Sequence, residues 1–525
     1  MTLFIIIYFK STIFHPSNVA LVNNQLQKIE VNQASTEYQE GQDKLTRSLF
    51  DEKNKDHWKM QAQFALQAKI TTFLNTNVAK NVILFLGDGM SVATLAATRV
   101  YLGRKYGYLG EEVKLSFETF PFTGLAKTYC VDSNVADSAC SGTAYLSGVK
   151  ANSGTVGLSG GVKRGDCEGQ RNSSNSVTGL MDWAQRAGKS TGIVTTTRVT
   201  HATPAAAYAH SADRKWEADV DMPRHGLRCE DIASQLVRGR VGISIDVIFG
   251  GGRKNFYPVT EKDAHGHYGI RNDGRNLIRE WLLKKESIGS RPKYIYNKQD
   301  LEKLNSKYDS VLGLFSFDHM PYHLEAEDDD PTLSEMTQKA IEILSQNRKG
   351  YFLFVEGGRI DTAHHETKAR KALDETAELA KTVETALKMV NLEDTLVIVT
   401  SDHSHTMTYS GYSKRGADIL GLANPKFNAS DNLPYSTLSY ANGPGFKPHQ
   451  GFRRHNLILD DMNDLNYTYP SLVPLARETH GGEDVAVFAK GPWSHLFTGN
   501  YEQNFIPHAI GYASCIGPGI TKCKS

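Results

Sequence analysis

Several carboxylates and histidines stand directly beside short apolar runs of the chain. The set comprises Asp88, Glu356, Asp361, Asp402 and His403, each after such a run, and His480 just before another. Ligands of open α/β sheets bind beyond the carboxyl ends of the strands, so we expect these side chains to meet at one edge of a sheet. Mixed aspartate and histidine sets suit Zn²⁺, and carboxylates with hydroxyls suit Mg²⁺. The pattern therefore predicts a metal centre.

Each of these residues alone also has an ordinary structural explanation. Asp88 lies between two glycines and could serve a turn, and Asp402 or His403 could cap a loop. Asp361 and His365 are four residues apart and would share one face of a helix, where such a pair is often a solvated contact. Their joint placement at the ends of apolar runs is what favours metal binding.

A serine in the small-residue run V-A-D-S-A-C-S-G-T, residues 135–143, offers a nucleophile. Small neighbours let the backbone turn tightly at the start of a helix, and the positive end of a helix suits an anionic substrate. The alternative interpretation is that Ser138 only caps that helix. The hydrolase elbow G-x-S-x-G does not surround Ser138, so a metal would have to lower the pKa of its hydroxyl.

A sheet has to position these residues. Six short apolar runs, each followed by polar or glycine-rich sequence, are typical of buried strands with helices on both faces. The runs cover residues 82–86, 192–195, 245–249, 351–355, 395–400 and 485–488. Helical spacing of apolar residues over 372–387 predicts one of the intervening helices. The alternation predicts an α/β fold with a large central, mostly parallel sheet flanked by helices on both faces.

Length and composition favour one large domain over several. The chain has 525 residues, and its 59 Lys and Arg nearly balance 58 Asp and Glu. A net charge of +1 gives no sign of nucleic-acid binding, and no apolar run reaches the ~18 residues of a membrane span. We divide the chain into a signal segment at 1–20, an N-terminal arm at 21–50 and one domain at 51–525. Within that domain we predict a helix over 56–74 and an inserted, crown-like subdomain over the Gly-, Asn-, Pro- and Tyr-rich residues 409–476.

The N-terminal segment and the cysteines favour secretion. The apolar stretch at residues 1–9 has the length of a signal-peptide core, the alternative being a merely hydrophobic N-terminus. Cys515 and Cys523 flank a Gly-Pro-Gly turn that would let them form a terminal disulfide in an oxidising compartment. N-x-S/T sequons suited to glycosylation occur at Asn172, Asn428 and Asn466. No hydrophobic C-terminal tail is visible, so we expect a secreted or extracellular protein, with a GPI-anchored surface form if the chain is truncated.

From about residue 51 to residue 523 the sequence resembles the alkaline phosphatases of the animal type. The family's signature around its nucleophilic serine is met at every position by residues 135–143. Further segments match in the family's order, at 81–90, 195–204, 354–361, 400–405 and 478–480. The resemblance implies hydrolysis of phosphate monoesters to an alcohol and inorganic phosphate. It also implies a covalent phosphoserine intermediate at a site with two Zn²⁺ and one Mg²⁺.

Carried over position by position, the resemblance implies a role for each residue of the centre. One Zn²⁺ would be held by Asp361, His365 and His480, the second by Asp88, Asp402, His403 and Ser138, and Mg²⁺ by Asp88, Thr203 and Glu356. Ser138 would be the nucleophile, and Arg214 would grip two oxygens of the substrate phosphate. Asp137 would orient Arg214, the alternative being a plain acid at a helix start. His201 and His405 would orient ligands of the metals.

The sequence departs from the vertebrate pattern at two places. Thr362 stands where vertebrate relatives usually have His, so we expect altered turnover or metal affinity and not loss of activity. Phe315 and Asp330 match two positions of the vertebrate Ca²⁺ site. Ser316, however, replaces an acid, and the matching Glu is missing around His265, so the resemblance does not carry over a complete Ca²⁺ site.

The resemblance also bears on covalent and quaternary structure. Disulfides would join Cys167 to Cys229 and Cys515 to Cys523. Cys130 and Cys140 would then be free thiols. The family is dimeric, with an N-terminal helix that embraces the partner subunit, and the helix predicted at 56–74 would take that place.

Other functions are compatible with the same fold. A related phosphodiesterase or sulfatase would use Thr or a modified Cys as nucleophile, so Ser138 beside Asp137 speaks against both. A non-catalytic binding protein would keep the fold without the chemistry, but all nine residues expected to bind the metals are present. We expect small phosphate monoesters as substrates, no nucleic-acid binding and a homodimer. Membrane association is expected only if a lipid anchor has been lost from the C-terminus.

Overall fold

A ten-stranded sheet runs through the computed structural model, which describes residues 52–223, 229–423, 429–449, 451 and 453–524. Its strands are β1 (Asn81–Gly87), β2 (Phe122–Lys127), β3 (Ser190–Arg198), β4 (Val247–Gly251), β5 (Pro292–Ile295), β6 (Ser310–Ser316), β7 (Tyr351–Gly357), β8 (Thr395–Ser401), β14 (Val485–Lys490) and β15 (Gly499–Glu502). Their order across the sheet is β15, β2, β14, β8, β1, β7, β3, β4, β6, β5. Strand β14 runs antiparallel to both of its neighbours, β8 and β2, and the other adjacent pairs are parallel.

Helices cover both faces of this sheet, except that the first helix of the described residues buries none of its side chains. They are α1 (Lys55–Ile70), α2 (Val92–Lys105), α3 (Ser138–Ser147), α4 (Cys167–Arg171), α5 (Leu180–Arg186), α6 (Ala202–Ala205), α7 (Ile232–Arg238), α8 (Arg240–Ile243), α9 (Leu277–Ser287), α10 (Lys298–Glu302), α11 (Leu333–Leu344), α12 (Arg359–His365), α13 (Ala369–Met389) and α14 (Phe505–Ser514). The predicted α/β fold, with a large, mostly parallel sheet between helices, is therefore confirmed.

The alternation of side chains along the central strand β1 builds two cores. Val82, Leu84 and Leu86 point to the face packed by α3, α5, α7, α9 and α14. Ile83 and Phe85 point to the opposite face, packed by α11 and α13. Because both faces are covered, the strand is apolar throughout, which is why it reads as a continuous hydrophobic run in the sequence.

The register of the central strands brings their carboxyl ends level with one another. Leu86 of β1 pairs with Glu356 of β7 on one side and with Thr400 of β8 on the other. Thr195 of β3 also pairs with Glu356. The residues that follow β1, β7 and β8 therefore emerge side by side at one edge of the sheet.

A smaller sheet stands apart from the central one. It consists of β10 (Met407–Tyr409), β11 (Leu438–Gly443) and β12 (Ser471–Pro474), in the order β10, β11, β12. Buried residues of this segment pack against α2 and α13 in a hydrophobic cluster of their own. Below it, β9 (Ser404–His405) and β13 (His480–Gly481) form a two-stranded antiparallel pair in which His405 faces His480.

The strands and helices predicted from local sequence patterns are present, with some differences in their bounds. All six predicted strands are present, although the run 245–249 forms a strand two residues later, at Val247–Gly251. The helix predicted at 56–74 ends at Ile70, and the one predicted at 372–387 lies within Ala369–Met389. The signal segment at 1–20 and the arm at 21–50 lie outside the described residues. Among the described helices, none is both long enough and apolar enough to cross a bilayer.

Three disulfides tie the described chain together. They join Cys130 to Cys140, Cys167 to Cys229 and Cys515 to Cys523. The prediction that Cys130 and Cys140 are free thiols is wrong, because the turn before α3 brings their Cα atoms to 5.8 Å, within disulfide range. The resemblance implied no disulfide partner for either cysteine, so this bond is seen only in the structure.

Removing a ring from the central strand tests how much stability this two-sided core provides. Phe85 is fully buried in β1, so F85A is expected to lower the free energy of unfolding by about 3–5 kcal/mol, through lost transfer energy and a residual cavity. Urea unfolding followed by circular dichroism measures the change. The control is L472A in β12, a residue 78% exposed, where a change within about 0.5 kcal/mol is expected. Equal effects of the two substitutions would contradict this account of the core.

Candidate active site

Three buried carboxylates meet where β1, β7 and β8 end. Asp88 follows β1, Glu356 lies near the end of β7 and Asp402 follows β8, and none of the three is exposed. One oxygen of each finds no hydrogen-bond partner among the described residues. Burial raises the pKa of Asp88 and of Asp402, and raises that of Glu356 to about 7. Such a cluster stays ionised only if positive charge joins it, so these residues fit a site for divalent cations.

One group of ligand atoms includes the serine singled out in the sequence. The ligand atoms of Asp88, Asp402 and His403 all lie within 4.8 Å of one another. His403 Nε2 is 3.1 Å from Asp402 Oδ2 and 3.2 Å from Ser138 Oγ. The hydroxyl of Ser138 therefore faces directly into this group, from the first residue of α3.

A second group lies beside the first. Asp361 Oδ1 is 3.2 Å from His480 Nε2 and 3.3 Å from His365 Nε2, and the two histidine Nε2 atoms are 3.2 Å apart. The ring of His480 stacks on that of His403, with centroids 3.6 Å apart. Helix α12 places Asp361 and His365 on one face, and the β9–β13 pair brings in His480 from a segment more than 100 residues later.

Backbone carbonyls fix the tautomer of all three histidines that face these groups. The Nδ1 atom lies 2.7 Å from Ala136 O in His480, 2.5 Å from Glu478 O in His365 and 3.3 Å from Ser404 O in His403. Since a carbonyl only accepts, each Nδ1 must carry the proton and donate it. Each Nε2 then presents a lone pair to the carboxylates, which is the arrangement of a metal ligand.

His405 is arranged differently. Its Nδ1 is 2.6 Å from Glu478 Oε2 and its Nε2 is 2.8 Å from Asp361 Oδ1, so a carboxylate flanks each nitrogen. Although burial opposes it, the charges of Glu478 and Asp361 raise the pKa of His405 to about 10. His405 is thus held between Glu478 and Asp361. Its role in orienting Asp361 stays a prediction from the resemblance.

A third group joins Asp88 and Glu356 to residues of β3 and α6. The ligand atoms of Asp88, His201 and Glu356 lie within 4.8 Å of one another, and Thr203 Oγ1 donates to Asp88 Oδ2 at 3.3 Å. Thr195 donates to Glu356 Oε2 at 2.5 Å. This carboxylate and hydroxyl set is of the kind that suits Mg²⁺. Asp88 belongs to both this group and the one that faces Ser138.

An arginine stands next to the serine. Arg214 Nη1 donates to Asp137 Oδ2 at 2.8 Å, and Arg214 Nη2 lies 3.3 Å from His201 Nε2. Asp137 also caps α3 by accepting from the Cys140 N–H, and it accepts from the Gly154 N–H. Although burial opposes it, the Arg214 guanidinium and these N–H groups lower the pKa of Asp137. The arginine fork is thus held beside the start of α3, where an anion would bind.

Sequence reasoning missed several residues that support the site. Glu478 is the most important, because one oxygen pairs with His405 and the other accepts from the backbone N–H and hydroxyl of Thr406. Its signal was its place two residues before His480, inside a matched segment. Thr195 and Thr197, which both donate to Glu356, were visible only as a threonine run at the end of a predicted strand.

Three other positions singled out in the sequence do not belong to the three groups of ligand atoms described above. Thr362 is half-buried in α12, directly after Asp361. Phe315 packs in the core against Phe249, and Asp330 accepts from the backbone N–H of Glu327.

The sequons lie at the surface where the structure describes them. Asn172 and Asn466 are exposed, whereas Asn428 lies outside the described residues. Asn172 caps a short 3₁₀ turn, and its side-chain oxygen accepts from Ser174. Asn466 accepts from Lys371 Nζ at 2.9 Å.

Comparison with known proteins gives a consistent result. The family model for alkaline phosphatase matches residues 79–516. The chain is 49% identical to the membrane-bound alkaline phosphatase of Bombyx mori over 453 residues, 85% of this chain and 82% of that protein. It is 48% identical to the human tissue-nonspecific isozyme over 491 residues, 91% of this chain and 92% of that protein. The alkaline phosphatase structure from Thermus thermophilus shares the fold, with a TM-score of 0.60 at 22% identity, over 86% of this chain and 95% of that one.

Gly89 offers a test of how tightly the centre is packed. It has φ +66°, and a Cβ there would lie 2.3 Å from the His405 ring. G89A is therefore expected to displace His405 from Asp361 and to weaken the affinity of the centre for divalent metal ions about 10- to 100-fold, measured by competition with a chromophoric chelator.

The control for G89A is G289A. Gly289 has φ +82°, but a Cβ there meets nothing within 4 Å, so this variant carries the same backbone strain without the clash. We expect G289A to keep the metal affinity of the unchanged protein. Equal losses in both variants would show that strain, and not the contact with His405, is responsible.

Proposed function

The chain belongs to the alkaline phosphatase family of phosphoric monoester hydrolases, and we propose that it acts through a covalent phosphoserine at Ser138 with two Zn²⁺ and one Mg²⁺. The observation that carries this proposal is the position of the Ser138 hydroxyl. It lies at the start of α3, 3.2 Å from His403 Nε2, with the Arg214–Asp137 pair beside it. Nucleophile, metal-ligand set and anion-binding group thus converge on one point.

The residues present fit three cations. Asp361, His365 and His480 would hold one Zn²⁺; Asp88, Asp402, His403 and Ser138 would hold the other; Asp88, Thr203 and Glu356 would hold Mg²⁺. The fit rests on the three histidine Nε2 lone pairs and on the carboxylate oxygens of Asp88, Glu356 and Asp402 that lack hydrogen-bond partners within the described chain. When bound, such ions neutralise charge on the entering and leaving oxygens of an in-line displacement. Because the resemblance does not carry over a complete Ca²⁺ site, calcium is not part of the proposal.

Substrate binding would begin with the phosphoryl group. Arg214 can donate two parallel N–H bonds to two phosphoryl oxygens, because Asp137 holds one edge of its guanidinium in place. The first N–H groups of α3 add positive potential at the same point. Since recognition is concentrated on the phosphoryl group, we propose a broad range of small phosphate monoesters as substrates.

The chemical step divides into two displacements. The Ser138 hydroxyl gives up its proton to solvent, its Oγ attacks phosphorus to form a P–O bond, and the P–O bond to the alcohol breaks as the alcohol oxygen takes up a proton. Water then loses a proton and attacks the phosphoserine from the side that the alcohol has left. The P–O bond to Ser138 breaks, the serine oxygen regains a proton, and inorganic phosphate is released. Arg214 stays bound to the phosphoryl oxygens through both displacements, so its position beside Ser138 stabilises both transition states.

A homodimer is part of the proposal. Helix α1 buries none of its residues in the single chain, and Trp58, Phe64 and Ile70 are 49%, 70% and 67% exposed. Large apolar side chains in such number on one exposed helix mark an interaction surface. We propose that α1 packs on the partner subunit.

Three disulfides support export to an oxidising compartment, so we propose an extracellular location. The Bombyx mori relative is named as membrane-bound.

Chelation followed by metal restoration tests the proposed centre. Phosphate release from an aryl phosphate at alkaline pH is expected to vanish with a chelator and to return when Zn²⁺ and Mg²⁺ are both restored. Full activity in metal-free protein would contradict the proposal, because the buried carboxylates would then have to work without compensating charge.

Replacement of the nucleophile tests the covalent step. S138A is expected to lower kcat about 10³-fold or more, and acid-quenched unchanged protein should carry the mass of one phosphoryl group on the peptide that contains Ser138. The matched control is S141A, one turn further along α3, whose hydroxyl only donates to Asp137 O. A phosphoryl group found on another residue would overturn the assignment of Ser138.

Sedimentation tests the dimer. The unchanged protein is expected to sediment as a dimer at micromolar concentration, and F64E on α1 should shift it to monomer because a charge cannot be buried there unpaired. L283E on α9, at a residue 60% exposed in the single chain, is the control and should leave the dimer intact. A monomeric unchanged protein would contradict the proposal.

A further inference from the structure

The Cys130–Cys140 disulfide closes a short loop that contains the residues proposed to perform the chemistry. Its two cysteines are ten positions apart, both are buried, and Cys140 lies in the first turn of α3. The sulfur atoms and a carboxylate oxygen of Asp137 all lie within 4.8 Å of one another. The disulfide therefore lies next to the first turn of α3.

Three consecutive residues of this loop each reach a different part of the site. Ala136 O accepts from His480 Nδ1 at 2.7 Å, Asp137 Oδ2 accepts from Arg214 at 2.8 Å, and Ser138 Oγ lies 3.2 Å from His403 Nε2. A shift of this segment would displace three things at once. It would move the Ser138 hydroxyl, the Asp137 carboxylate that holds Arg214, and the Ala136 carbonyl that fixes the tautomer of His480.

The stretch that leads into these residues has no regular structure and is held by individual contacts, among them the hydrogen bond from Lys150 Nζ to Tyr129 O. Residues 128–137 form no helix or strand, and Tyr129, Val131 and Val135 are 44%, 56% and 38% exposed. Its hydrogen bonds to the rest of the chain include Val131 N–H to Ala151 O and Ser153 N–H to Asp132 Oδ1. The disulfide is the covalent link between this exposed stretch and the buried first turn of α3.

We propose that the Cys130–Cys140 disulfide is a positioning element for catalysis, which holds Asp137 and Ser138 at the places where they contact Arg214 and His403. The inference rests on the proposed function, because it assumes that Ser138 is the nucleophile and that Arg214 binds phosphate. It differs from a purely stabilising role in that its loss should act on the site through Asp137.

The bond itself is tested first, on the unchanged protein. Peptide mapping without reduction is expected to find residues 130 and 140 in one cross-linked peptide. Two free thiols at these positions in active protein would overturn the inference outright.

The functional test compares two disulfides of similar loop length. C130A/C140A removes the bond beside the site, and C515A/C523A removes a bond with a separation of eight positions at the far C-terminus. Both variants should melt at lower temperature, because each loses a cross-link in the unfolded chain. Only C130A/C140A is expected to lower kcat/KM, by about tenfold, and to weaken the binding of inorganic phosphate to metal-loaded protein, measured by calorimetry.

A double-mutant cycle with D137A separates positioning from general stabilisation. If the disulfide holds Asp137 in place, its removal should weaken phosphate binding less in the D137A background than in the unchanged protein. An equal additional loss in that background, or equal activity losses in C130A/C140A and C515A/C523A, would overturn the inference. Should C130A/C140A fail to fold, C130V/C140A, which keeps more apolar volume in the small cluster around the bond, takes its place.

Failure of the proposed function would look different. A fully metallated, unchanged protein that releases no phosphate would contradict the proposed function. An active unchanged protein whose disulfide variant keeps its kcat/KM and phosphate affinity would overturn the positioning role alone.

Discussion

Mutual repulsion among buried carboxylates is the constraint on which the rest of this structure depends. Asp88, Glu356, Asp361 and Asp402 are all nearly or wholly inaccessible to solvent and lie at one edge of the sheet. Burial raises the pKa of Asp88, Glu356 and Asp402, and the carboxylates repel one another, so the ionised cluster is stable only with compensating positive charge. At Asp361, although burial opposes it, His365, His405 and His480 lower the pKa of the carboxyl. The negative charge of the other three carboxylates is what would bind divalent cations.

Directional hydrogen bonds turn this charge into a defined geometry. Backbone carbonyls hold the Nδ1 protons of His365, His403 and His480, so that all three rings turn the same nitrogen toward the acids. His405 differs, because carboxylates of Glu478 and Asp361 face its two nitrogens. The partner of the Nδ1 atom, a carbonyl or a carboxylate, thus distinguishes His405 from the other three rings.

Features of the fold and of the site could be predicted from the sequence where neighbouring residues alone carry the pattern. Strands buried on both faces leave continuous apolar runs, so the central strands and their acidic ends were found. Four strands of this sheet were missed. Strands β2, β5 and β15 are short or lie near the edges of the sheet and include polar residues, so they leave no continuous apolar run. Strand β6 is buried and largely apolar, so its signal was local and was overlooked. The pairing of Cys130 with Cys140 depends on a turn without regular structure, and the role of Glu478 depends on the approach of β13 to β9. Neither has a pattern that a single sequence displays.

The antiparallel pair of β9 and β13 has a consequence for how proteins of this design can diversify. Between His405 and His480 the chain leaves the central body, builds the small β10–β11–β12 sheet and returns to the same two-residue clamp. The pairing of β9 with β13 fixes the two ends of this segment against each other. Its length and sequence can therefore change with only a small change in the entropy of loop closure, while His405 and His480 stay paired. We therefore expect the sequence of the segment that carries the small sheet to vary between related proteins more than the residues of the site.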